Sequence, residues 1–234
     1  MKLVILAGGY GTRLSEETKI KPKPLVLIGN KPIIWHLMKI YSSYGVNEFI
    51  ICLGYKGHMI KQELNKFKKK EKWKIKFVDT GLHTMTGGRI KRIKKYIIKD
   101  ENFCLSYGDG LSNVNIKKLI KFHIDNAKIA TLTAVKYKNP KGVLSINKNL
   151  EVNNIKEKPI EYINGGFFVL SNKIFKYLKN DKSIFEKDCL PAITKKRQLL
   201  AFKHNGFWAC MDTLREKKEL NNLWDKKNCE WKVW

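Results

Sequence analysis

Short aliphatic runs alternate with amphipathic stripes along the first half of this chain, and that alternation restricts the fold more than any other feature. Apolar runs at residues 3–6, 49–53, 75–78 and 103–107 have the length and composition of buried strands. Between them, residues 32–44 set Ile33, Ile34, Leu37, Met38 and Tyr41 on one helical stripe. Residues 58–67 also read as helical, 88–98 turn Ile90, Ile93 and Ile97 inward, and 116–126 form a further helix. Strand, helix, strand in this order calls for right-handed crossovers. The expected class is therefore α/β, with a Rossmann-like, mostly parallel sheet flanked by helices. After Ala130 the pattern becomes strand-rich, with strands at 131–135, 143–146, 152–157 and 166–170. Helices follow at 172–178 and 184–195, strands at 200–203 and 207–211, and a last helix at 213–225. With no internal repeat and no disordered linker, residues 1–234 read as a single domain with halves 1–130 and 131–234.

The formal net charge of +26 raises the question of nucleic acid. Only five residues are arginine, so nearly all the excess is lysine, spread from end to end on the polar sides of helical patterns. That is the signature of a solvated lysine-rich surface, and no nucleic-acid partner is expected. The densest run, KFKKKEKWK at 66–74, reads as an exposed loop. The field remains compatible with a small polyanionic substrate. No apolar run reaches the roughly 18 to 20 residues that span a bilayer, so no membrane partner is expected. The start, MKLVILAGGYG, lacks the shape of a signal peptide, and the five scattered cysteines show neither zinc-site nor redox-pair spacing. Cys52 and Cys104 fall inside apolar runs as fillers. These features suit a cytoplasmic protein.

Several turns at strand ends carry polar chemistry. The first strand stops at AGGYGTR, where missing side chains expose backbone N–H groups and let an anion approach Arg13. It is not a P-loop, because no G-x-x-x-x-G-K-[ST] string occurs. It is not the dinucleotide fingerprint either, because Leu14 stands at the third glycine and the expected acid is missing. In KPKP, at 21–24, two prolines stiffen the segment and fix the reach of Lys21 and Lys23, as a phosphate clamp or as a plain surface turn. SYGDG, at 106–110, puts Asp109 at the carboxyl end of a parallel strand, on the ligand edge of an α/β sheet. One carboxylate holds Mg²⁺ poorly, and Asp212 in FWACMDT offers a second oxygen ligand; the alternative is a cap for the last helix. VDTGLHTMTGGR, at 78–89, repeats the strand–loop–helix form, and EKP at 157–159 and NGGFF at 164–168 are polar edges of the second half. His36 and His123 have no partner in the pattern and read as packing or surface residues.

GGYGTRL, KPKP, the GD strand end, EKP and an aspartate before the C-terminal helix occur here in the order found in sugar-phosphate nucleotidyltransferases, which the chain resembles over nearly its whole length. TGGRIKR and FWACMDTLR sharpen the resemblance to the glucose-1-phosphate cytidylyltransferase group. The resemblance implies the nucleotide-diphospho-sugar transferase (GT-A-like) architecture, with 1–130 binding nucleotide and 131–234 carrying the sugar phosphate. It implies that CTP and α-D-glucose 1-phosphate yield CDP-glucose and pyrophosphate by Mg²⁺-dependent attack on the α-phosphorus. Leu6, Ala7, Gly8, Gly9, Tyr10, Gly11 and Thr12 would wrap the nucleotide, the glycines making room for its triphosphate. Thr12 and Arg13 would hold the departing pyrophosphate, and Lys23 the phosphate at the reacting centre. Arg13, Lys23 and Asp109 are thus the implied catalytic set, with Asp109 and Asp212 as metal ligands. Thr84, Arg89 and Gly108 would also face the nucleotide, and Glu157, Lys158, Asn164 and Gly165 the sugar phosphate. A homo-oligomer and a role in surface-polysaccharide synthesis are implied too.

The chain departs from that group in two places: the segment between the second helix and the third strand is short, and KYKNPKG follows Val135. Three alternatives stay open on the sequence. They are a related transferase using UTP, dTTP or another phosphate acceptor, a non-catalytic binder of nucleotides or polyanions, and, weakest, a nicotinamide oxidoreductase. Retention of both aspartates speaks against the binder, which would gain affinity for anions by losing them.

Overall fold

The computed structural model describes residues 1–139 and 141–234, the side chains of Arg13 and Ser15 excepted. β1 (Lys2–Leu6) is followed by an antiparallel clip of β2 (Leu27–Ile28) and β3 (Lys31–Pro32) and by the helix Ile33–Ser43. Next come β4 (Glu48–Leu53), the helix Gly57–Lys68, β5 (Lys74–Asp79), and the helices Thr86–Arg92 and Lys94–Ile97. β6 (Asn102–Tyr107), β7 (Gly110–Ser112) and the helix Ile116–Asn126 complete the first half. The second half adds β8 (Ala130–Lys138), β9 (Val143–Ile146), β10 (Val152–Lys156) and β11 (Ile160–Ser171). It ends with β12 (Leu199–His204), β13 (Trp208–Cys210) and the helix Leu214–Asp225.

Seven strands form one sheet in the order β12-β8-β11-β6-β1-β4-β5. β1 runs parallel to β4 and β6, β4 to β5, and β12 to β8; β11 runs antiparallel to both β6 and β8. The strand-rich half therefore extends the first sheet, and only the hairpin β9–β10 and the clips β2–β3 and β7–β13 stand outside it. Strand alternation divides the core into two layers. Leu3 and Ile5 meet Ile34, Leu37, Met38, Ile60 and Leu64 on one face, while Val4 and Leu6 meet Ile90, Ile93, Ile97 and Phe185 on the other. Burial on both faces is why these strands read as unbroken apolar runs rather than as alternating ones.

Five local expectations change. The helix expected over 88–98 is two pieces, divided at Ile93, and the division keeps Ile90, Ile93 and Ile97 fully buried. The strand expected at 166–170 begins earlier, at Ile160, and passes through an irregularity between Asn164 and Phe168. Residues 172–178 form a 3-10 turn over Asn172–Tyr177, and 184–195 open with a π turn, Phe185–Cys189, before Leu190–Lys195. KFKKKEKWK is not a free loop: its first residues end the helix Gly57–Lys68, Glu71 pairs with Lys39 at 2.9 Å, and Trp73 is buried against Trp35 and Phe49.

Both core histidines are packing residues. His36 lies among Trp35, Trp224, Trp231 and Trp234, with Nε2 donating to Ile28 O at 2.9 Å. His123 lies between Thr131 Oγ1 at 2.9 Å and Asn102 Oδ1 at 3.1 Å. Burial lowers the pKa of each to about 4, so both are neutral when folded and bind protons more readily when unfolded. Their contribution is complete above the ordinary histidine range and is lost as pH falls from about 6.5 toward 4, by up to roughly 3 kcal/mol each. Denaturant melts between pH 4 and 8 should show this slope, and His36→Gln should flatten part of it; a stability independent of pH across that window would refute the assignment.

Candidate active site

The carboxyl ends of β1 and β6, the segment Leu82–Thr86 after β5 and the middle of β11 open on one cavity of about 830 Å³, within the size range of small-molecule and cofactor pockets. Its floor is the turn after β1. Ala7 N donates to Cys52 O at 3.0 Å and Tyr55 N to Gly8 O at 3.1 Å, so the turn is tied to the end of β4. Arg89 holds the same turn from behind. Its guanidinium donates to Gly8 O (2.9 Å), Leu53 O (3.0 Å), Thr80 Oγ1 (2.7 Å), Gly81 O (2.9 Å) and Leu82 O (3.4 Å). Burial lowers its pKa from the ordinary arginine value. A Cβ on Gly8 would fall inside that guanidinium, whereas one on Gly9 would meet nothing within 4 Å. The two glycines thus serve different ends: Gly8 admits the arginine, and the space beside Gly9 is open.

The charged centre is assembled from three distant segments. Lys23 sits on the turn Lys23–Leu25, with Pro22 at its cap position. Asp109 follows β6, and β7 pairs with β13 so that Gly110 faces Cys210 and Met211 N donates to Asp109 O at 3.1 Å. That pairing brings Asp212 beside Asp109. Lys23 Nζ then lies 2.5 Å from Asp109 Oδ2 and 2.5 Å from Asp212 Oδ1. Burial opposes the charge on Lys23, but attraction and hydrogen bonding from Asp109 and then Asp212 outweigh it and raise the pKa above the ordinary lysine value. Asp212 is not the helix cap. Thr213 is, accepting from Glu216 N while Glu216 caps back.

The opposite wall is β11. Asn164 Oδ1 accepts from Gly166 N at 2.9 Å, with Gly166 at φ +77°, and Trp208 Nε1 donates to Gly165 O at 2.7 Å. Glu186 reaches the same space from the π turn, accepting from Tyr107 OH at 2.5 Å and Thr86 Oγ1 at 2.7 Å. Cys210 also lines the cavity, but burial, reinforced by Asp212, pushes its thiol up to about 12, so it is no nucleophile near neutrality.

Leu6, Ala7, Gly8, Gly9, Tyr10, Gly11, Thr12, Lys23, Thr84, Arg89, Gly108, Asp109, Asn164, Gly165 and Asp212 all line this cavity. Arg89 does so with both terminal guanidinium nitrogens bonded to protein oxygens. The Arg13 side chain lies outside the described residues. Glu157 and Lys158 are not brought to the cavity: they follow the hairpin β9–β10, are exposed, and lie 3.9 Å apart. Among the described residues the hairpin pairs with no strand of the main sheet, and the EKP motif leads into β11, where Ile160 pairs with Lys138 of β8. Sequence reasoning missed Tyr107, Thr86, Glu186 and Trp208. The GG pair of TGGR was the one available sign. A Cβ on Gly87 or Gly88 would press on the backbone of Ser183 or Asp181, the segment that delivers Glu186.

The sequence pattern of the nucleotidyl transferase family matches residues 2–220. The chain belongs to that family. This nucleotidyl transferase is 45% identical to the glucose-1-phosphate cytidylyltransferase of Salmonella typhimurium over 257 residues, with 100% of both chains covered. It is 43% identical to the probable glucose-1-phosphate cytidylyltransferase of Bacillus subtilis over 256 residues, again with both chains fully covered. Both alignments are longer than the 234-residue chain, so both relatives carry segments that it lacks. The crystal structure of HddC from Yersinia pseudotuberculosis superimposes with a TM-score of 0.76 at 30% identity, covering 95% of this chain and 99% of HddC. UDP-glucose pyrophosphorylase, at 20% identity and a TM-score of 0.73, shares the fold. Among the described residues of this nucleotidyl transferase, no helix is long and apolar enough to cross a membrane.

Proposed function

We propose that this nucleotidyl transferase forms CDP-glucose and pyrophosphate from CTP and α-D-glucose 1-phosphate. The reading rests on its full-length similarity to glucose-1-phosphate cytidylyltransferases, and one observation carries it into chemistry: Lys23, Asp109 and Asp212 converge beside an open glycine turn. A phosphate oxygen of the sugar phosphate attacks the α-phosphorus, the bond to the β-phosphate breaks, and pyrophosphate leaves. Both reactants are anions, so the protein's work is alignment and charge neutralisation. No side-chain nucleophile is called for, in keeping with the raised Cys210 thiol.

Mg²⁺ fits the donor set. Asp109 and Asp212 offer hard carboxylate oxygens already aimed at one cation, the Lys23 ammonium. Among the described residues no group of three or more His, Cys, Asp or Glu forms a cage, which suits an ion completed by substrate phosphate oxygens and water. Bound there, Mg²⁺ supplies positive charge to the α-phosphate. Lys23, exchanging its carboxylate partners for phosphate oxygens, would hold the sugar phosphate against the nucleotide. Thr12 and Arg13 would hold the β- and γ-phosphates. The Leu82–Met85 wall and the backbone of 6–11 would take the nucleoside, and Asn164 and Gly165 the sugar.

Pyrophosphate release with glucose 1-phosphate and Mg²⁺ should favour CTP over UTP, dTTP, ATP and GTP by at least about tenfold, the scale on which one misplaced base group discriminates. A preference for another nucleotide would move the base assignment, and silence with all five would overturn the reading.

A further inference from the structure

Glu186 lies in the cavity wall with no part in the reaction as derived above. It stands on a π turn, a backbone form concentrated at functional sites. Both carboxylate oxygens are held: Tyr107 OH donates to Oε1 at 2.5 Å and Thr86 Oγ1 to Oε2 at 2.7 Å. Neither donor is free to drift. Phase and position of the Thr86 hydroxyl are set by Phe185 N, which donates to it at 2.9 Å, and the Tyr107 ring lies against Gly166 of β11, where an added Cβ would meet it at 2.8 Å. The carboxylate is thereby fixed in rotation, yet each oxygen keeps acceptor capacity beyond its one hydroxyl partner.

Charge decides what such a group can serve. The proposed substrates are a triphosphate and a phosphate monoester, and a carboxylate beside either phosphate would repel it. An acceptor kept in this cavity therefore suits an uncharged hydrogen-bond donor. Its bond to Tyr107, whose ring lies against Gly166 two residues past Asn164, puts it beside the β11 wall. We infer that Glu186 accepts hydroxyl groups of the hexose ring and sets the choice of sugar, with Tyr107 and Thr86 as its positioning residues. This rests on the reading of the site as a sugar-phosphate nucleotidyltransferase. A ring hydroxyl that meets a fixed acceptor distinguishes epimers and deoxy analogues, because a missing or inverted hydroxyl leaves the acceptor unpaired.

The test is steady-state pyrophosphate release by the full chain and by Glu186→Gln, which keeps shape and removes charge. KM for glucose 1-phosphate should rise about 10- to 100-fold, as for a lost bond to a charged acceptor, with KM for CTP changed by less than about threefold. Deoxyglucose 1-phosphates provide the second readout. The wild-type penalty for deleting the contacted hydroxyl should shrink in Glu186→Gln. Tyr107→Phe, a milder change, should raise the same KM by about three- to tenfold. An unchanged sugar KM in both variants, or a rise in KM for CTP instead, as an acceptor for the cytosine amino group would give, overturns the inference while leaving the reaction intact. A wild-type protein inert with CTP and glucose 1-phosphate overturns the reading and the inference together.

Discussion

Replacing Asp109 or Asp212 by asparagine should lower turnover by three orders of magnitude or more while the melting temperature changes little. Each carboxylate lies 2.5 Å from the Lys23 ammonium, and among the described residues no other acid pairs with it. Losing one removes a full charge from the place where a cation must meet the developing charge of the transition state, an effect of several kcal/mol. Stability should be nearly untouched, because both side chains sit at the open edge of the cavity, 26% and 22% exposed, and asparagine still hydrogen-bonds Lys23. The measurement is pyrophosphate release across a Mg²⁺ titration, beside a thermal melt. Turnover within tenfold of wild type would sink the metal assignment. If the loss were instead a folding defect, the melt would show it.

Arg89→Ala should be the most destabilising single change at the site, by about 3 to 5 kcal/mol, or roughly 10 °C or more in melting temperature for a chain of this length. Arg89 makes five hydrogen bonds from a position 4% exposed, to oxygens on three loops. Gly8 O and Leu53 O retain other donors, but Gly81 and Leu82 are left with carbonyls facing the hole. Arg89→Lys separates this anchoring role from direct contact with the nucleotide. A lysine keeps the charge yet cannot reproduce the fork, so it should lose most of the stability and raise KM for CTP about as far as alanine does. If Arg89 acted chiefly as a charge on phosphate, lysine would restore much of the affinity, and the anchoring assignment would fail.

The outcome for Arg89 bears on how far local pattern reaches. The resemblance implies that Arg89 faces the nucleotide, and Arg89 does line the cavity. Its guanidinium also turns back under Gly8, because β4 lies next to β1 and β5 next to β4, which leaves Leu53, Thr80 and Gly81 oxygens beside the glycine turn. Trp73 shows the same limit. A lysine-rich string around one tryptophan looks solvated, yet that ring closes the core against Trp35 and Phe49. The EKP motif shows the converse, since Glu157 and Lys158 are exposed and follow a hairpin that local sequence cannot set apart from a strand of the main sheet.

Hydrophobic periodicity determined the main-sheet strands of the first half and the helices on 33–43, 57–68 and 116–126 to within a residue at each end, because a side chain's distance to the next one on the same face is a local property of the backbone. It did not determine the break at Ile93 or the short strands β2, β3 and β7. The glycine turn after β1 and the acid after β6 were legible for the same reason: each ends a strand on the edge where an α/β sheet binds its ligands. Only the tertiary structure decided which of these ends meet. Asp109 and Asp212 come together through the pairing of β7 with β13, and Glu186 reaches Thr86 and Tyr107 because two glycines let a distant segment approach. Such contacts depend on register between elements far apart in the chain, and register is set by the packing of the whole core rather than by the residues on either side.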